Sequence, residues 1–171
     1  MDPSTPSNMP GVGDTAPALS LPDDTGTLRN LAERRGHWTV LYFYPKDDTP
    51  GCTTEACEFR DINSTITAHD AEVWGVSVLG SGSKAAFKRK FGLNFVLLAD
   101  IDHAVAERYG TWVEKVNYGR KFMGIQRATF LIDPDGRIAQ AWPKVKAQGH
   151  AADVLAALGD ARAARAAAPV A

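Results

Sequence analysis

The chain has 171 residues, of which 44% are hydrophobic and 23% charged, and its formal net charge is −1. Such a composition supports one domain with a sizeable core and excludes disorder of the whole chain, and the scattered Lys and Arg form no basic stripe for nucleic acid or an anionic membrane. No apolar run approaches the roughly 20 residues of a membrane span, and the first ten residues lack the basic and apolar regions of a secretory signal, so a cytoplasmic protein with small-molecule or protein partners is expected.

In chain order, residues 1–12 are rich in Pro, Ser, Asn and Gly and are expected to be a mobile leader. Residues 38–44, Trp-Thr-Val-Leu-Tyr-Phe-Tyr, form a continuous apolar and β-branched run that predicts a buried strand ended by Pro45. Helical character follows over 52–62. A second strand is expected at 72–79, a helix at 83–91 stopped by Gly92, a short strand at 95–98, and a helix at 103–109 closed by Gly110. Residues 127–133, then Pro134-Asp135-Gly136, then 137–142 carry a strong hairpin signal. A last helix is expected near 151–158, followed by an Ala/Arg-rich tail over 159–171, which leaves 13–158 as the domain. Strands alternating with helices, then a hairpin and a helix, predict an α/β protein in which helices flank a mixed central β-sheet, in the element order of a thioredoxin-like fold.

The chain holds two cysteines, Cys52 and Cys57. In a reducing compartment a persistent structural disulfide is disfavoured, so the pair either cycles or binds metal. Four intervening residues lie at the edge of zinc-ligand spacing, but zinc asks for four ligands, or three plus water. His37, His69, His103 and His150 lie more than 30 residues apart and supply no second pair, so no metal is expected. Thr49 followed by Pro50 reads as a helix start, with Thr as the cap and Pro in the first turn. Cys52 then falls at the third helical position, where free backbone N–H groups and the helix dipole favour an anion and so a thiolate. Complete ionisation of an ordinary thiol raises the thiolate present at neutral pH only about thirtyfold. Any larger acceleration needs donors aimed at charge that develops in the transition state. Five residues along an ideal helix separate two Cα atoms by roughly 8.7 Å, whereas a disulfide needs about 6.8 Å or less. A Cys52–Cys57 bond therefore requires the start of the helix to unwind. Two unreactive buried cysteines remain the plain alternative.

Residues 42–61, Tyr-Phe-Tyr-Pro-Lys-Asp-Asp-Thr-Pro-Gly-Cys-Thr-Thr-Glu-Ala-Cys-Glu-Phe-Arg-Asp, closely resemble the active-site signature of peroxiredoxins of the Q type, or bacterioferritin comigratory proteins. The likeness extends through Gly75-Val-Ser77 and residues 124–136 and covers roughly 11–158. It implies a thiol peroxidase with no cofactor. Cys52 would attack the peroxide O–O bond and become a sulfenic acid, Cys57 would resolve that acid as an intramolecular disulfide, and thioredoxin or a similar dithiol would reduce the bond. By the same resemblance Thr49 would donate its hydroxyl to the peroxide oxygens, Pro45 would shield the thiolate, Arg127 would stabilise the thiolate and orient the peroxide, and Glu55 would tether an arginine. A monomer is expected. Read from the residues alone, Arg127, one of 11 arginines, stands at the start of an apolar strand, where an exposed edge charge is the commoner finding, and Glu55 reads equally as a favourable charge near a helix start. The chain departs from the family pattern after Ser77, where Val-Leu-Gly-Ser-Gly-Ser replaces the usual Pro and polar residue, and over 93–98, where the usual prolines are absent. A disulfide reductase and a redox-sensing binding protein are the competing functions.

Overall fold

The computed structural model describes residues 8–167. A small antiparallel pair, β1 (Ser20–Pro22) and β2 (Leu28–Asn30), precedes the central strand β3 (Trp38–Phe43). Helix α1 (Pro50–Ala68), β4 (Ala71–Ser77), α2 (Ser81–Phe91), β5 (Val96–Ala99) and α3 (Ala104–Arg108) follow. The hairpin β6 (Trp112–Asn117) and β7 (Arg120–Ile125) comes next, then β8 (Ala128–Ile132), β9 (Ile138–Trp142) and α4 (His150–Ala167). The main sheet has the order β5-β4-β3-β8-β9, with β3 parallel to β4 and antiparallel to β8. This is the mixed sheet flanked by helices that the alternation predicts.

All six residues of β3 are buried because both faces of the sheet are covered. Val40 and Tyr42 point into one core with Phe59, Ile66, Val154 and Leu158 from α1 and α4. Leu41 and Phe43 point into the other, with Trp74, Tyr109, Phe130 and Ile132. Gly75 on β4 pairs with Tyr42. A Cβ there would stand 2.9 Å from the Tyr42 ring, so only glycine admits that ring.

Three regions differ from expectation. Asn8 donates from Nδ2 to the Glu107 carbonyl at 3.1 Å and Met9 packs on the second core, so this part of the 1–12 leader is attached; residues 1–7 lie outside the described residues. The tail placed at 159–171 is helical as far as Ala167, and residues 168–171 lie outside the described residues. Alanine is the strongest helix former, and Arg162 and Arg165 reach His69 Nδ1 at 2.7 Å and Asp135 Oδ2 at 2.9 Å, so Gly159 does not end α4. The third difference is the hairpin at 112–125, which carried no expectation. Its turn uses Tyr118 and Gly119, both at positive φ, as a two-residue hairpin loop requires; Tyr-Gly signals that turn more weakly than Asn-Gly.

Candidate active site

The sheet register assembles the site. The antiparallel β3–β8 pair sets Phe43 opposite Ala128, so Arg127, one residue before β8, arrives at the end of β3 where the chain turns towards α1. Thr49 is the N-cap residue of α1 and Pro50 opens the helix. Cys52 is 2% exposed and lies in the core between α1 and the sheet. Arg127 donates from Nη2 to Cys52 Sγ at 3.3 Å and from Nη1 to Glu55 Oε1 at 2.7 Å. One guanidinium thus bridges the sulfur and a carboxylate that stands one helical turn further along α1. The Arg127 side chain is only 14% exposed, unlike the edge charge that sequence alone favours.

Burial works against the charged form of Arg127, but Glu55 and Cys52 outweigh it and hold the guanidinium above its ordinary range. Gly51 makes the approach possible: a Cβ there would stand 3.2 Å from Arg127 Nη2. Thr49 occupies the cap position, but its hydroxyl makes no cap bond. It donates instead to the Lys46 carbonyl at 2.8 Å, so the proton that the resemblance assigned to the peroxide is engaged within the loop. Pro45 is half-buried at the end of β3. Cys57 is half-buried and free on the same continuous helix as Cys52. Among the described residues no three His, Cys, Asp or Glu side chains converge as a metal site requires.

Sequence reasoning missed two parts of this region. Gly51 looked like an ordinary glycine near a helix start. Asp47 and Lys84 are buried beside the loop, and the signal for Lys84 was its spacing: it falls on the same helical stripe as Phe87 and Phe91. In the segment that departs from the family pattern after Ser77, Gly80 is the N-cap residue of α2, and Ser83 of that helix donates to Asp47 Oδ2 at 2.8 Å.

Two buried groups near the site titrate in opposite senses. Burial raises the Glu55 carboxyl from 4.5 to about 7, against the pull of Arg127. His150, which shares a 2.8 Å hydrogen bond with Thr129 Oγ1, is pushed by burial from 6.5 down to about 4. Between pH 4.5 and 7 the folded protein holds a proton on Glu55 that the unfolded chain has lost, so this contribution falls as pH rises through the window. Between pH 4 and 6.5 the unfolded chain holds a proton on His150 that the folded protein lacks, so this contribution rises with pH. Each slope is about 1.4 kcal/mol per pH unit, and they oppose one another across pH 4.5–6.5. Relative to wild type, the stability of Glu55→Gln should therefore climb with pH in that range and that of His150→Gln should fall. Urea unfolding at half-unit steps checks this; variant curves parallel to wild type would refute it.

The sequence profile of the AhpC/TSA family matches residues 12–141. A putative peroxiredoxin of Coxiella burnetii is 48% identical over 147 residues, which cover 86% of this chain and 97% of that protein. The peroxiredoxin Bcp of Bacillus subtilis is 46% identical over 149 residues, with coverage of 87% and 95%. Among solved structures, that of the Xanthomonas campestris bacterioferritin comigratory protein, described for its alkyl peroxide reduction activity, superposes with a TM-score of 0.82 at 40% identity over 90% of this chain and 98% of the other.

Proposed function

The chain belongs to the AhpC/TSA family and is a peroxidase of the peroxiredoxin type, and from that premise we propose that it runs on an intramolecular disulfide cycle recycled by thioredoxin. The observation that carries this reading is the contact of Arg127 with Cys52 Sγ at a helix start whose first turn has no acidic residue. A guanidinium and the positive end of the helix dipole thus face the sulfur, where both attract negative charge that develops during the reaction. The Sγ lone pair attacks one peroxide oxygen and the O–O bond breaks. Sulfur is oxidised to the sulfenic acid, and the departing oxygen leaves as water or an alcohol after taking a proton. The Arg127 Nη2 donor aimed at sulfur also faces the oxygens on which charge grows. Thr49, its proton engaged by Lys46, offers its oxygen as an acceptor for the peroxide hydroxyl, and Pro45 limits the access of water. Glu55 holds Arg127 in place.

Resolution needs a change of shape. Cys52 and Cys57 stand five residues apart on one helix, a Cα separation of roughly 8.7 Å in ideal geometry. The first turns of α1 open, Cys57 sulfur attacks Cys52 sulfur, and the sulfenic oxygen leaves as water. Thioredoxin or a similar dithiol then takes up the disulfide by exchange. One equivalent of peroxide should produce a Cys52–Cys57 linkage within one chain, seen by peptide mass spectrometry, with a loss of far-UV circular dichroism of about two helical turns. Reduced thioredoxin should restore the helical signal. An identical spectrum in a chain shown to carry that disulfide would overturn the unwinding step, and failure of thioredoxin to reverse it would overturn the recycling partner.

A further inference from the structure

Lys84 on α2 is fully buried, and it does not touch the reacting sulfur. Its ammonium donates to Ser77 Oγ at 2.6 Å and lies 3.2 Å from Asp47 Oδ2. The Asp47 carboxylate, itself 6% exposed, also accepts from the Tyr44 hydroxyl at 2.5 Å and from Ser83 Oγ at 2.8 Å. A charge taken out of water persists only where partners of this kind surround it. Burial pushes the Lys84 ammonium below its ordinary value, and the Asp47 and Asp100 carboxylates oppose that shift.

The placement of this network points to its role. Asp47 lies between Pro45 and Thr49, in the segment that leads from β3 into α1. The next residue, Asp48, has a φ of 58° and pairs with Lys90 of α2 at 2.8 Å, and Thr49 is tied back to the Lys46 carbonyl. Parallel pairing of β3 with β4, with the Tyr44 N–H donating to the Val76 carbonyl, brings Ser77 to the same end of the sheet. The segment that carries Pro45 and Thr49 is therefore held from α2 as well as from α1, where the Thr49 carbonyl accepts from the Thr53 N–H at 2.8 Å.

We propose that Lys84 is a positioning residue for the peroxide-reducing step, acting through Asp47 to fix the segment that carries Pro45 and Thr49 into α1 ahead of Cys52. Positioning errors of an ångström at a reacting centre cost about a hundredfold in the extreme, and a loosened loop a fraction of that. The inference rests on the peroxidase reading. Its test measures two steps separately in the full chain: loss of the Cys52 thiol to hydrogen peroxide, and conversion of the sulfenic acid to the disulfide. Asp47→Asn and Lys84→Met should each slow the first step about tenfold. The double variant should be no slower than the worse single, and the second step should stay within about twofold of wild type, since it depends on residues 50–57. Should these variants fail to fold, Ser77→Ala and Ser83→Ala, which remove one hydroxyl each, decide the matter with an expected slowing of about two- to threefold. An unchanged first step in folded variants, or equal slowing of both steps, overturns the inference. A wild-type chain that forms no sulfenic acid would instead overturn the peroxidase reading itself.

Discussion

Cys52→Ser should bring peroxide-dependent NADPH consumption, followed with thioredoxin and its reductase, down to the rate without the protein. Among the described residues no second sulfur has the Arg127 contact that Cys52 has, and Cys57 is half-buried on the same helix. A serine hydroxyl in the same place keeps the helix dipole and the guanidinium, but it does not ionise near neutral pH, and its oxygen cannot be carried up an oxidation ladder as sulfur can. Cys57→Ser should give the complementary result. Cys52 should still consume one equivalent of peroxide rapidly, after which turnover stalls with Cys52 as sulfenic acid and, with excess peroxide, as sulfinic acid. Undiminished turnover in Cys52→Ser would remove the basis of the proposed cycle.

Arg127→Gln should lower kcat/KM for peroxide by about 10²- to 10³-fold, the range found when one preorganised donor to developing charge is removed. The loss is large because a single side chain serves two partners, Cys52 Sγ at 3.3 Å and Glu55 Oε1 at 2.7 Å, in a site from which water is mostly excluded. Arg127→Lys should recover only part of it, since one ammonium cannot reproduce the planar fork that spans sulfur and carboxylate. Folding should suffer less than catalysis. Burial already drives Glu55 towards its neutral form, so losing the guanidinium leaves a carboxylic acid in the core rather than an isolated charge. Stopped-flow oxidation of the two variants, with urea unfolding as a control, measures both quantities. A rate for Arg127→Gln within tenfold of wild type would mean that the thiolate and the peroxide are stabilised by the helix start alone.

The parts of the fold that local pattern controls were legible. The run at 38–44 is apolar apart from the β-branched Thr39 because β3 is covered on both faces, and Pro134-Asp135-Gly136 marks the β8–β9 turn with residues suited to it. Gly92, in the left-handed region, ends α2 where it was expected. What pattern missed was set by partners distant in sequence. The exposed hairpin β6–β7 has weak alternation and a Tyr-Gly turn, and its base is held by Ile125 and Trp112 against the second core. The last helix extends beyond Gly159 because alanines continue it and arginines reach across to His69 and Asp135.

The same division runs through the site. Residues 49–57 by themselves determined that a cysteine sits at the third position of a helix and that its partner five residues on lies beyond disulfide reach, because helix-start chemistry and helical rise are local properties. The resemblance from which the roles of Thr49, Arg127 and Glu55 were drawn was carried by residues 42–61 together with 124–136. Tertiary structure alone decided that Arg127 bridges sulfur and carboxylate instead of facing solvent, since only the antiparallel register of β3 and β8 brings a residue 75 positions away to Cys52. It decided too that the Thr49 proton goes to Lys46 and that a buried lysine of α2 holds the loop through Asp47. Those outcomes depend on which buried polar groups find partners when the layers close, a condition that no single stretch of the chain contains.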